Sequence, residues 1–206
     1  MKLYDFPFSP NCRKVRAVAY ELGIPLTYER VDLLAGDQRG PGFLARNPNG
    51  RVPVLEDGDL ILWESTAIIR YLADGSALLP TARRTAAEVD RWIAWQLAHL
   101  GPAMSKVAYE KIVKRLTHRG EPDAARIAEG TAEFERATEI LDAALADRDF
   151  VAGPLSLADF ALAAHYSLAP AAELSLGHHR RASAWLARIS GRDSMKRALS
   201  DAQASL

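Results

Sequence analysis

The chain has 206 residues, enough for one large domain or two small ones, and its 26 Lys and Arg balance 26 Asp and Glu to a net charge of zero. That balance argues against a nucleic-acid partner, which draws a basic excess, and 49% hydrophobic with 25% charged residues is the texture of a globular protein. No run approaches the ~18 apolar residues of a membrane span, "MKLYDFPF" lacks the apolar centre of a signal peptide, and one cysteine closes no internal disulfide, so the expectation is a cytoplasmic protein without a membrane partner.

Residues 1–77 mix strand and helix signals. "KLYDF" reads as a short strand. "NCRKVRAVAYELG" sets Val15, Val18, Ala19 and Leu22 at helical spacing and stops at Gly23. "LTYERVDL" alternates and is rich in β-formers. Residues 36–46 show no clear period, and "GPGF" disfavours a helix at its start. "VPVLED" and "LILW" flank Asp57-Gly58-Asp59, a hairpin signal. "ESTAIIRYLADG" reads as a helix with Ile68, Ile69 and Leu72 inward. The opening β-α-β implies parallel strands joined by a right-handed crossover, and the hairpin adds antiparallel strands.

"GSALLPTARR" reads as a linker, and beyond it the strand signals vanish. Val89, Trp92, Ile93, Leu97 and Leu100 form one stripe, with Gly101-Pro102 set to kink or end that helix. Phe134, Leu141 and Leu145 mark a second long helix, and Leu157, Phe160, Ala161, Ala164 and Leu168 a third. "SAWLARI" and "DSMKRALSDA" read as two more.

Four motifs bear on chemistry. Ser9-Pro10 reads as a helix start, with serine at the N-cap and proline in the first turn. The same tip is an anion site. Lowering a thiol pKa of ~8.5 by two units needs roughly 2.7 kcal/mol of preference for the thiolate, which a hydroxyl and a helix dipole together can supply. Cys12 reads either as a small buried filler or as a redox thiol, the latter without a C-x-x-C partner. Pro53 heads a strand, where its missing N–H does no harm. Glu64-Ser65 begins a helix, as a cap or as a ligand for a carboxylate and an ammonium. Ser156-x-x-Asp159 is a capping box with Leu155 as staple; losing Asp159 is expected to cost roughly 0.5–2 kcal/mol. His178-His179-Arg180-Arg181 reads as a solvated helix start rather than a metal or phosphate site, and no metal is expected.

A small α/β domain ahead of an all-helical one, carrying "SPNCRKV", "RVPVL", "ESTAIIRYL" and "SLAD", resembles the cytosolic glutathione transferase family along essentially the whole chain. The match is to its serine-type members: theta-like, zeta-like and related bacterial groups. The resemblance implies an α/β plus all-α fold, with an N-terminal thioredoxin-like domain (βαβαββα) over 1–77, a linker at 78–84 and an all-helical C-terminal domain over 85–206. It implies glutathione as co-substrate, a small and mostly apolar electrophile, and a homodimer. Ser9 is then the catalytic residue, holding the thiolate of glutathione. Asn11 falls where beta-class enzymes carry a cysteine. A cis Val52-Pro53 bond turns the Val52 backbone outward to pair with the extended peptide. Arg51 faces the glycyl carboxylate, with Gln38 as a further polar contact, while Glu64 and Ser65 take the γ-glutamyl end. The electrophile is expected between Pro7 and Phe8 of the first domain and Met104, Lys106 and Tyr109 of the second. Pro53, Ser156 and Asp159 are structural. Two other readings stand beside conjugation: a glutathione-dependent reductase or isomerase acting through Cys12, and a catalytically idle interaction module.

Overall fold

The computed structural model describes residues 1–203. In chain order the elements are β1 (Lys2–Asp5), α1 (Pro10–Glu21), β2 (Thr27–Arg30), a 3-10 turn (Asp37–Arg39), α2 (Pro41–Leu44), β3 (Val54–Asp57), β4 (Leu60–Trp63) and α3 (Ser65–Leu72). There follow α4 (Arg83–Trp95), α5 (Gly101–Ala108), α6 (Lys114–Thr117), α7 (Ala124–Ala144), α8 (Leu157–Tyr166), α9 (Arg180–Ser190) and α10 (Asp193–Gln203). Two compact units emerge: Met1–Leu79 with the segment from Gly191 onward, and Pro80–Ser190. No helix among the described residues is long and apolar enough to cross a membrane.

The first unit is the expected thioredoxin-like βαβαββα arrangement. Its mixed sheet has the order β2-β1-β3-β4, with β1 parallel to β2 and antiparallel to β3, and β3 antiparallel to β4. The hairpin between β3 and β4 closes at the pair Asp57–Leu60, where the Asp57-Gly58-Asp59 signal put it. Helix α1 buries Val15, Val18 and Ala19, and α3 buries Ile68, Ile69 and Leu72, as their spacing requires. The unclear stretch 36–46 becomes the 3-10 turn and the single turn of α2. Proline at the start of α2 supplies a preset φ for that single turn.

The sequence reading closes the first domain at residue 77 and gives every later helix to the second. The structure instead assigns α10 to the first unit. Polar side chains explain the attachment. Arg16 on α1 donates from Nε to Asp5 Oδ2 (2.5 Å) and from Nη1 to Asp201 Oδ2 (2.7 Å). The Tyr20 hydroxyl donates to the same Asp201 oxygen at 2.6 Å. Glu21 receives the Arg192 guanidinium and the Ser194 hydroxyl. A buried ion pair of this kind is costly to half-dismantle, because the survivor is left as an uncompensated charge.

In the second unit the rod from Arg83 to Thr117 neither ends nor breaks at Gly101-Pro102. A π-helical turn, Gln96–Leu100, joins α4 to α5, and a second, Tyr109–Val113, joins α5 to α6. Each adds a residue to the turn and rotates the face that follows. For that reason Leu97, expected inward, is 49% exposed, while Leu100 is fully buried. Gln96, in the first π-turn, is buried against His165 (3.2 Å between the two Nε2 atoms). Because the His165 Nδ1 sits 3.1 Å from the Ala161 carbonyl, which only accepts, Nδ1 carries the proton and Nε2 receives the Gln96 amide. Helices α5 and α7 meet at Gly130, where a Cβ would lie 2.8 Å from Val107 Cγ2 and 3.0 Å from the Ala103 carbonyl. Phe134, Tyr166 and Trp185 stack edge-on through the centre of this unit, with centroids 5.7 and 5.9 Å apart.

Candidate active site

Ser9 stands at the N-cap of α1 with extended backbone (φ −69°, ψ 125°), Pro10 following, and its hydroxyl makes no capping bond to the helix. Its main chain is held at both ends: its N–H donates to the Phe6 carbonyl (2.8 Å), and its own carbonyl accepts from Arg13 (2.9 Å). The Cys12 sulfur accepts from the Phe6 N–H at 3.4 Å. Cys12 itself is wholly buried, in a cluster with Tyr4, Phe6, Val31, Phe43, Val52 and Val54. Burial, and next the Asp5 carboxylate, push its pKa up to about 12. At neutral pH this sulfur is a protonated core atom, the filler of the two readings the sequence left open.

The Val52-Pro53 peptide is cis, as expected. Val52 and Pro53 are buried, and Val52 belongs to the same cluster as Cys12. The loop before them is braced by Asn47, a buried side chain that was not among the sequence candidates. Its amide donates to the Arg51 carbonyl (2.6 Å), and its oxygen accepts the Asn49 N–H (3.0 Å). Gly50 is required there: φ is +59°, and a Cβ would lie 3.1 Å from the Gln38 carbonyl. The Arg51 side chain is exposed. The Gln38 amide turns inward to the Leu33 carbonyl (3.4 Å), so it serves its own loop before any ligand.

Glu64 precedes α3 with φ +69° and ψ 107°, a strained backbone for a residue with a side chain, and such strain concentrates at ligand clamps. Ser65 opens the helix, where the first-turn N–H groups have no partner within the helix itself. Its hydroxyl donates to Asn11 Oδ1 at 3.2 Å. One turn along α1, the Lys14 ammonium donates to Thr66 Oγ1 at 3.3 Å. These two bonds tie the tips of α1 and α3 together, so Ser9, Asn11, Glu64 and Ser65 occupy one place, with Val52 joined to it through the cluster around Cys12. Lys14 was not among the sequence candidates. It is fully buried, and burial lowers its pKa to about 8, the Glu64 carboxylate pulling partly the other way. Its position four residues before Val18, on the same helical face, was the available signal.

The family model for the N-terminal domain of glutathione S-transferases matches residues 3–77. Glutathione S-transferase 3 of Zea mays is 37% identical to this chain over 177 residues, covering 83% of it and 77% of the maize protein. The chain belongs to the glutathione S-transferase family. The crystal structure of glutathione transferase F7 from Populus trichocarpa overlays the transferase with a TM-score of 0.90 at 29% identity, covering 98% of each chain. That of glutathione S-transferase-I, bound with lactoylglutathione, does so with a TM-score of 0.88 at 27% identity, covering 97% and 98%. The maize and poplar proteins come from plants; the crystal structure of glutathione S-transferase from Pseudomonas fluorescens, a bacterial relative, overlays with a TM-score of 0.87 at 30% identity, covering 94% of this chain and 96% of that one.

The residues expected to take the second substrate fare unequally. Pro7 is buried, and Phe8 packs on the cluster around Cys12, its ring 5.3 Å from that of Phe6. In the second unit of the transferase Met104 is fully buried. Lys106 is drawn to α7 by Glu129 (2.8 Å) and Glu133 (2.7 Å). Tyr109 alone of those three presents a large exposed face. Ser156 and Asp159 form the expected capping box on α8.

Proposed function

We propose that this transferase conjugates the thiol of glutathione to small, mostly apolar electrophiles, with Ser9 as the catalytic residue. The Ser9 hydroxyl, not used by the helix cap, donates a hydrogen bond to the incoming glutathione sulfur and favours its ionised form, with the N-terminus of α1 behind it. Sulfur then attacks the electrophile by substitution or addition, and no redox change of the protein is needed. Glu64 pairs with the γ-glutamyl ammonium. The Ser65 N–H receives the carboxylate on the same carbon, and the Ser65–Asn11 hydrogen bond holds that end of α3 in place. The Val52 main chain pairs with the peptide, and Arg51 is the nearest candidate for the glycyl carboxylate. Phe8 and Tyr109 are the aromatic candidates for contact with the electrophile. The protein acts as a homodimer.

The observation that carries this reading is the division of labour between the two groups of "SPNC". The serine heads α1 without spending its hydroxyl on the cap, while the cysteine is buried with its pKa raised to about 12. The same observation weighs against a reductase working through a mixed disulfide at Cys12. Conjugation of a generic aryl halide is the test. Ser9→Ala is expected to lower kcat/KM by roughly 10²–10³, the scale of losing one donor to a developing anion. It is also expected to raise the pKa of bound glutathione in an ultraviolet titration. Cys12→Ala is expected to retain turnover. If Cys12→Ala abolishes turnover while Ser9→Ala leaves it intact, the assignment is wrong.

A further inference from the structure

His178 and His179, on the segment leading into α9, both aim Nε2 at one carboxylate oxygen of Glu135 on α7, at 2.5 and 2.7 Å. Their three ligand atoms lie within 4.8 Å of one another, and the two rings are 4.3 Å apart. The sequence offered no partner for this histidine pair, since Glu135 lies more than forty residues away along the chain. The approach is not a chance meeting of loose side chains. Asp142 Oδ1 accepts the N–H groups of Arg181 (2.8 Å) and Ala182 (2.9 Å), fixing the first turn of α9 against α7. Asp142 and Glu135 are seven residues apart, two helical turns, and therefore share a face of α7. The backbone of His179 is held by its N–H to the Leu176 carbonyl (2.7 Å) and by the Ser183 N–H to its own carbonyl (2.9 Å), and its side chain is only 9% exposed. One imidazole and the carboxylate are thus in place beforehand, and the exposed His178 leaves the point of convergence open to solvent.

We propose that Glu135, His178 and His179 form a binding site for a divalent transition-metal ion of the zinc class. Two imidazoles and one carboxylate are the donor set such ions take, and the set lacks the all-oxygen character that calcium or magnesium requires. Ligand atoms about 2.0–2.2 Å from a tetrahedral Zn²⁺ sit roughly 3.3 Å apart, so each nitrogen, now 2.5 or 2.7 Å from the oxygen, draws back from it by about 0.6–0.8 Å, which rotation of the exposed His178 ring and the half-buried Glu135 side chain allows. Solvent fills the remaining coordination. The bound ion pins the start of α9 to α7, and because the unfolded chain has no preformed site, it stabilises the folded state by mass action. The site belongs wholly to the second unit and does not depend on the conjugation reading.

The test uses untagged, chelator-treated full-length protein in the absence of glutathione, whose thiol binds zinc itself. Dialysis against micromolar Zn²⁺ is expected to leave one zinc per chain by elemental analysis, and Co²⁺ is expected to give a visible d–d band. The thermal midpoint is expected to rise with Zn²⁺. His178→Ala and Glu135→Gln are each expected to weaken Zn²⁺ binding at least about tenfold and to remove the thermal shift. Neither residue is core, so both variants fold, which circular dichroism without metal verifies. Absence of stoichiometric zinc on the wild-type chain overturns the proposal, as does binding unchanged in the His178→Ala, Glu135→Gln double variant.

Discussion

Lys14 and Cys12 lie two residues apart on α1, both fully buried, and burial drives their pKa values in opposite directions. For Lys14 the folded value is about 8 against an ordinary 10.5. Below pH 8 the folded and unfolded chains both carry the proton; between about 8 and 10.5 only the unfolded chain does, so this group makes stability rise with pH across that window. Cys12 acts in reverse: its folded value of about 12 lies above the ordinary 9.0, so its contribution falls as pH rises beyond 9. The Lys14 effect is therefore cleanest from pH 7 to 9. Lys14→Met removes the buried ammonium, and the variant's stability relative to wild type is expected to decline over that range by about 1 kcal/mol, since one pH unit beyond the folded value corresponds to ~1.4 kcal/mol. Urea unfolding of both chains at pH 7, 8 and 9 measures the difference. A constant difference would mean that the Lys14 ammonium is solvated rather than buried.

Among the helices, α8 shows how far a local signature reaches. The capping box was visible as Ser156-x-x-Asp159, but Asp159 does more than cap. Its Oδ2 accepts from the Ser156 N–H (3.0 Å) and hydroxyl (3.2 Å), and its Oδ1 from the Val151 N–H (3.0 Å) and Trp185 Nε1 (2.9 Å). Asp159→Ala strands three buried N–H donors, each worth about 1–3 kcal/mol when left unpaired. The expected loss is about 3–5 kcal/mol in urea unfolding, above the range for a cap alone, whereas Trp185→Phe removes only one donor and is expected to cost much less. The contrast marks what was legible. Helices α1, α3 and α7, the hairpin, and the helix-tip motifs at Ser9 and Glu64-Ser65 are written in short-range periodicity and capping residues. Leu97 was misplaced because a π-turn shifts the helical period without any Pro or Gly at its own residues. Asn47 was missed because its partners, though local, sit in a turn whose burial no short-range pattern reports. Lys14 was missed because a buried charge is fixed by a partner far along the chain, here Thr66. The pairings of Gln96 with His165 and of Glu135 with His178 and His179 belong to the same class.

At the scale of the whole molecule the two edges of the sheet differ in chemistry. Strand β2 presents exposed Glu29 and Arg30, charges that blunt an edge against pairing with another chain. Strand β4, the opposite edge, exposes Leu60 (37%), Ile61 (38%) and Trp63 (39%). An apolar edge of this kind invites cover by another surface. The second unit offers apolar surface of its own: Leu97 and Ile140 are nearly half exposed, and Ile140 lines a groove of about 460 Å³ with Trp95, His99 and Pro102. A net charge of zero sets up no long-range repulsion between copies. The chain is therefore expected to run in light scattering at twice its 22.6 kDa. Ile61→Lys and Ile140→Glu place a charge in each of the two apolar surfaces. If both are buried in the dimer, each variant weakens it by about 3 kcal/mol or more, roughly a hundredfold in dissociation constant. Both side chains are exposed in the single chain, so the monomers should melt as cooperatively as wild type. A wild-type chain that stays monomeric at tens of micromolar would leave the β4 edge uncovered and reject the dimer; a dimer that resists both substitutions would locate its interface elsewhere.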